Sequence, residues 1–483
     1  MDGPQRELLL MLVGLGCMVA AGLGALALAL ARSPRAAGAV AAGGLVAGGL
    51  LGLKAVAPVL LGGGASAALA VGWAMPGGAL SVGLDPLTAF FLVPVLVLAP
   101  LAGVYGVPYL LDDARARALG YPFLGLNLLV ASIALVLLAR NAVLFLMAWE
   151  TMATCAALLV AWDHHHPAVR RAGWVYFVAA HLGAAALFVL FLVLKASAGS
   201  FEFADFVRSP PAGEGAVTLV LVLALVGFGS KAGLVPFHVW LPEAHAAAPS
   251  HVSSLLSGVM VNVGLYGLLR TALLLGRTPD WWGPALAALG LGSALVAIAL
   301  AVYQRDLKRA LAYSTVENVG LVTLALGVAA WAAAQGLPRV AGLALAGGLL
   351  HLWNHALMKG GMFLVAGSVL HATGTRDLEQ LGGLARRMPL TAAGMTVGSL
   401  ALSALPPFNG FVGEWLLYLG LMRLGSEPGG SLLALLAVGG VALVGALAAV
   451  TFVRLLGVSM LGQPRSAPAA RAHESSRWML GPI

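Results

Sequence analysis

The sequence predicts an all-α polytopic membrane protein of about thirteen transmembrane helices, and three observations predict it. Of its 483 residues, 60% are hydrophobic and only 10% charged, with a mean hydropathy of +0.95, whereas about a quarter of a soluble globular chain is charged. Apolar runs of roughly 20 residues, the length that crosses a bilayer at about 1.5 Å per residue, recur along the whole chain. The runs are continuously apolar, where barrel strands would alternate in segments of about ten.

Taken in order, the runs fall at 7–31, 37–62, 87–111, 121–139, 141–161, 172–195, 216–240, 250–275, 283–303, 309–332, 340–371, 391–422 and 431–461. The first, beginning near Leu8, is too long for a signal peptide and lacks the basic lead and cleavage box of one, so it is expected to be a span. The organisation expected is three N-terminal helices in 1–120, helices four to eight in 121–275, helices nine to thirteen in 276–462, and a tail at 463–483 that stops short of a further helix.

Two runs are interrupted. In "GSKAGLVPFHVWLPEAH", residues 229–245, Pro236 and Pro242 are expected to break the seventh helix, and in "SALPPFNGFVGEWLLYLG", residues 403–420, Pro406 and Pro407 break the twelfth. Proline has no amide hydrogen, so Pro236 leaves the Ala232 carbonyl without its helical partner. Such a break at membrane depth survives only where protein or water satisfies the freed groups. The breaks fall in the fourth helix of each five-helix segment, which points to two inverted five-helix repeats with polar sites near the midplane.

Lysine and arginine set the orientation. With the N-terminus outside, fifteen of them, Arg115 and Arg117 included, fall on the inside and eight on the outside, and this asymmetry favours that topology with the tail inside. The net charge of +8 and isoelectric point near 9.8 therefore read as membrane topology rather than nucleic-acid binding. Cys17 and Cys155 stand singly in apolar helices and no CxxC is present, so this chain's thiolates build neither an iron–sulfur cluster nor a nickel site. The absence of a GxGxxG after a strand and of a Walker loop argues against a nucleotide site.

Function is sought in the ionisable groups inside the spans. Lys231 lies about fifteen residues into its run, too deep to snorkel to that surface, and a mid-bilayer lysine costs about 2.5–3.5 kcal/mol unless it faces a partner or water. His238, His245 and His251 lead away from it along the chain. Glu150, in "LFLMAWETMATC", and Glu317, in "LAYSTVENVG", stand on the second helix of each repeat, and Glu414 follows the second break. His351, His355 and Lys359, spaced i, i+4, i+8, line one helical face. Histidine changes charge near about pH 6.5, so the row is suited to passing protons. It offers no third ligand for zinc. For any one of these charges the alternative is a structural ion pair between packed helices. His164, His165 and His166 read as a solvated, partner-facing loop, and His181 and Lys54 as satisfied packing positions.

These residues carry a pattern. "GSKAGLVPFHVWLPEAH", "PSHVSSLLSGVM", "RDLKRALAYSTVENVG", "WNHALMKGGMFLVAGSVLHATGTRDLEQLGGL" and "ALPPFNGFVGEWLLY" resemble the antiporter-like proton-translocating subunits shared by complex I, Mrp-type cation/proton antiporters and membrane-bound hydrogenases. "STVENVG" and "HATGTRDLEQLGGL" most resemble the branch of hydrogenase-4 component B and formate hydrogenlyase subunit 3, and the likeness runs from residue 84 to the end.

The resemblance implies two inverted five-helix repeats with half-channels and a central polar axis. It implies that Glu150 pairs with Lys231 and that Glu317, His355, Lys359 and Glu414 continue the path; relatives of this branch go on into further membrane helices where this sequence stops at "AHESSRWMLGPI", as a truncation, a fragment or a shorter family member would each explain. One departure is Asn262, where the family commonly has a central lysine; an amide hydrogen-bonds water but does not titrate. The activity implied is translocation of protons or Na+ in the cell (inner) membrane, coupled to electron transfer elsewhere. This chain holds no cofactor, and Ni–Fe and Fe–S centres are expected in partner subunits, which include other membrane subunits and a peripheral electron-transfer arm. The alternatives are a cation/proton antiporter, a subunit of an NADH-quinone oxidoreductase, and a non-pumping membrane anchor.

Overall fold

Inside a bilayer no water bonds to the backbone, so each long Leu-, Ala- and Val-rich run closes its amides on itself as helix. The computed structural model describes residues 3–62, 66–75, 77–111, 116–427 and 431–483. Of the cations weighed for topology, Arg115 and the side chain of Arg117 lie outside the described residues. Among those described, twelve helices are long and apolar enough to cross a membrane. The thirteenth expected span is a discontinuous pair, α15 (Pro389–Leu402) and α16 (Asn409–Ser426), numbered in the chain order given below.

The chain forms two compact units, Met1–Lys231 with Ala247–Thr278, and Ala232–Ala246 with Pro279–Ile483. In the first, α1 (Gly3–Leu30), α2 (Pro34–Leu61), α3 (Pro86–Leu111) and α4 (Gly120–Leu138) share an apolar cluster that includes Ala25, Ala37, Leu110 and Phe123. They are followed by α5 (Ala142–Val160), α6 (Pro167–Ala198), the short α7 (Phe203–Arg208) and α8 (Glu214–Ala232). Residues 1–120 thus lie in the same unit as the next four runs up to Lys231 and the run at 250–275, while Ala232–Ala246 at the end of the seventh run belongs to the second unit.

The fold is all-α as expected, with one small hairpin among the described residues. Between α2 and α3, β1 (Ala67–Gly72) pairs antiparallel with β2 (Ala79–Leu84), Ala67 opposite Leu84 and Gly72 opposite Ala79. These strands are too short and too poor in alternation to separate from loop by pattern.

The seventh run ends as a helix at Ala232, where Gly233 takes φ +80° and closes α8 in the left-handed region that suits glycine. Pro236 lies in the break, a 3₁₀ turn follows at Phe237–Val239, and α9 spans Trp240–Ala247. Pro242 does not break the helix, contrary to expectation. It is the third residue of α9, in the first turn, where an amide has no intrahelical acceptor to lose. The next span runs from α10 (Ser250–Leu255) through a π turn at Leu256–Met260 into α11 (Val261–Leu275).

The second unit is built on α12 (Trp282–Val302), α13 (Leu307–Ala334), α14 (Pro338–Thr373), α15, α16 and α17 (Leu432–Met460), with the short α18 (Ala467–Ala470) and α19 (Arg477–Leu480) in the tail. Glycines at heptad spacing join α12 to α13: Gly283 and Gly290 on one, Gly320 and Gly327 on the other. A methyl on Gly320 would lie 2.6 Å from the Gly290 carbonyl oxygen, and one on Gly327 would lie 2.8 Å from that of Gly283, so the backbones meet with no side chain between them. Pro406 and Pro407 fall in the gap between α15 and α16, which Asn354 of α14 tethers by donating to the Asn409 carbonyl at 2.8 Å.

Candidate functional site

In the first unit Asn141 caps α5 by accepting from the amides of Val143 and Leu144, which fixes the helix that carries Glu150 as its ninth of nineteen residues. Lys231 is in the last turn of α8, where the helix dipole favours a cation. It is buried, donates from Nζ to the Tyr176 hydroxyl at 3.0 Å, and lies 5.6 and 5.3 Å from the ring centres of Trp149 and Tyr176. The Tyr176 hydroxyl in turn donates to Met260 Sδ on the π turn at 3.8 Å.

The expected contact of Glu150 with Lys231 is not made. Glu150 Oε2 lies 3.2 Å from His181 Nε2 instead, the two side chains being 38% and 41% exposed. Both partners are on α6, and sequence reasoning missed both. The available signal for His181 was its place near the middle of a long apolar helix, the same signal that singled out Lys231. Tyr176 offered none.

In the second unit Asp306 caps α13, accepting from the amides of Lys308 and Arg309. Three turns on, the Asn318 amide donates to the buried Glu317 carboxylate, while Asn318 Oδ1 accepts from His351 Nε2 at 3.0 Å. Lys359, wholly buried, donates to the Ser314 hydroxyl and to the Leu311 carbonyl at 3.3 Å, with the Phe452 ring 5.2 Å away. Between His351 and Lys359 on the same helix, His355 has both ring nitrogens buried and, among the described residues, unpartnered. Buried nitrogens in that state call for ordered water. Glu414 is buried on α16, in the second turn after the break.

The three histidines after Lys231 fall in different units. His238 lies in the break, 6.3 Å from the Tyr313 ring, and His245 stacks on Phe363 at 5.1 Å, both in the second unit. His251 belongs to the first, edge-on to Tyr109 at 5.7 Å and seated over Gly106, where a methyl would come within 2.8 Å of its ring. Arg309 holds Glu243 of α9 by two bonds, 2.9 and 2.7 Å, and Arg376 donates to the Ala246 carbonyl. Asn262 is buried just after the π turn; its amide donates to the Gly258 carbonyl at 2.8 Å and its oxygen finds no partner among the described residues.

Outside the spans, Asp85 ties three elements of the first unit. Its carboxylate lies 3.1 Å from Arg140 and 2.7 Å from Arg270, and both guanidiniums also reach Thr88 Oγ1. Burial alone would raise the Asp85 carboxyl, but the Arg270 hydrogen bond and the two positive charges outweigh it and hold the group well below the usual carboxylate range. Among the described residues no cluster of three or more His, Cys, Asp or Glu is arranged to hold a metal.

Buried lysines, glutamates and histidines within the spans, together with two interrupted spans, define a multi-pass membrane protein with ionisable groups at membrane depth. Residues 139–438 match the family described as NADH:quinone oxidoreductase/Mrp antiporter, transmembrane, and the chain belongs to that family. It is 39% identical over 411 residues to hydrogenase-4 component B of Escherichia coli K12, covering 83% of this chain and 60% of that protein. It is 35% identical over 396 residues to formate hydrogenlyase subunit 3 of the same organism, covering 81% and 63%. A chain in the structure of the Mrp complex from Dietzia sp. DQ12-45-1b superposes with a TM-score of 0.80 at 25% identity, over 97% of this chain and 49% of that one. The chain therefore spans about 60% of the length of these curated relatives.

Proposed function

We propose that this chain translocates protons across the cell (inner) membrane, with its N-terminus outside, as a subunit of a hydrogenase- or formate hydrogenlyase-type complex. Partner subunits then supply the Ni–Fe and Fe–S centres and a peripheral electron-transfer arm. One observation carries the reading: each unit buries a lysine, Lys231 or Lys359, whose hydrogen bonds in this structure go to a hydroxyl, with Leu311's carbonyl as well for Lys359, and not to a carboxylate. A lysine bonded in this way loses its proton without leaving a buried carboxylate unpaired. The nearby carboxylates Glu150 and Glu317 favour its return when they approach.

In the second unit the path runs along α14. Lys359 passes its proton through water to His355 and on to His351, whose ring is oriented by Asn318, with Glu317 and Glu414 as the flanking carboxylates. Moving one charge through 100 mV takes about 2.3 kcal/mol, the equivalent of less than two units of pKa at about 1.36 kcal/mol each. Rearranging one ion pair is enough. Glu150 and His181 support the subunit reading, because an ionisable pair this exposed at mid-helix is costly against acyl chains and is relieved by a covering membrane partner.

The test has two parts. Tagged protein extracted gently from its native membrane should bring nickel, iron and hydrogen- or formate-linked electron transfer with it. In vesicles holding that complex, Glu150→Gln and Lys231→Ala should each abolish coupled proton transfer while leaving assembly intact; transport that survives both refutes the pathway. Purification without metal, together with cation-dependent proton flux, would favour a cation/proton antiporter.

A further inference from the structure

Helix α6 presents two polar side chains to its neighbours, and each holds one member of the ion pair that the family resemblance implies. Tyr176 takes Lys231 and, five residues later, His181 takes Glu150. The α6–α8 contact is close at Gly183, where a methyl would stand 3.3 Å from the Gly227 carbonyl oxygen, so Lys231 is brought to this helix by backbone packing.

Two contacts hold the His181 ring: Nδ1 lies 2.8 Å from the Phe177 carbonyl oxygen one turn back on its own helix, and Nε2 lies 3.2 Å from Glu150 Oε2.

We propose that His181 is a positioning residue that keeps Glu150 parked away from Lys231, and that breaking its contact with Glu150 releases the carboxylate towards the lysine. The inference rests on the proton-transfer reading above and deepens it by making release of Glu150 the step that opens the path.

The experiment uses the intact complex in proteoliposomes and reads both coupled proton flux and the infrared carboxyl band of Glu150, identified by its loss in Glu150→Gln. His181→Ala should move or abolish that band and lower flux about tenfold, within the usual range of site-to-site coupling. His181→Lys, which keeps a nitrogen donor within reach of Glu150, should recover flux. His181→Ala combined with Glu150→Gln should be no worse than Glu150→Gln alone, the non-additivity of residues acting as one unit. Wild-type flux with an unmoved band in His181→Ala, or flux lost equally in His181→Ala and His181→Lys, overturns the inference. If Glu150→Gln is itself fully active, the proton-transfer reading fails instead, whatever the His181 variants do.

Discussion

Lys231 allows folding and function to be separated, with an outcome opposite to intuition. Placing its ammonium at mid-membrane costs about 2.5–3.5 kcal/mol. Against this stand one charge-assisted hydrogen bond to Tyr176, about 1.5–3 kcal/mol, and two ring contacts at 5.6 and 5.3 Å, about 0.5–2 kcal/mol each. The terms cancel to within a few kcal/mol. Lys231→Met keeps the length and removes the charge, so it should change stability by less than about 2 kcal/mol. Tyr176→Phe leaves the charge buried without that hydroxyl and should cost the full hydrogen bond, about 1.5–3 kcal/mol. Removing the hydroxyl should therefore hurt more than removing the charge, and the double variant should recover part of the loss. Thermal melts of the detergent-solubilised protein give the ranking, and vesicle flux should be lost in Lys231→Met. A Lys231→Met protein that melts well below Tyr176→Phe but still transports would make the lysine a structural cation.

Three further outcomes follow from the structure. The depressed Asp85 carboxyl contributes stability that is fully present above its ordinary value of about 3.9 and is lost as pH falls through its folded value. Asp85→Asn should remove that acid dependence from an unfolding series and, with 23% of the side chain exposed, cost about 2–4 kcal/mol, somewhat under a fully buried pair. Gly290→Val places a side chain against the Leu324 backbone and should destabilise by about 1–3 kcal/mol or more through overpacking, while Gly292→Ala, on open surface, should be silent in the same melt. Asn262→Lys should speed coupled transport if the amide interrupts the wire. Loss of assembly would instead mark Asn262 as a packing residue, consistent with its bond to Gly258.

The spans were legible because their apolar runs are long and continuous, and the two breaks because Pro236 and Pro406–Pro407 remove helix donors at fixed places. Pro242 was misread because proline in a first turn looks the same in sequence as proline in a break. The candidate residues could be found by asking which charges are too costly for lipid, but that criterion says nothing of their partners. Glu150 and Lys231 are each held by α6, through contacts set by helix rotation and by the close approach at Gly183. Asn318 was hidden for another reason. An asparagine beside a glutamate reads as ordinary polarity until it is found bridging Glu317 to His351.

The glycine seam between α12 and α13 bears on how the second unit can move. Two helices touching backbone to backbone have no rotamers between them to rearrange, so sliding or tilting one past the other would drive amide into carbonyl. Helix α13, which carries Glu317 and Ser314, is in effect welded to α12 and serves as the stator of this unit. In the proposed cycle, change then falls to side chains, water and the break at Pro406–Pro407. A disulfide engineered across the seam should leave turnover unchanged, whereas one that bridges α15 to α16 should stop it.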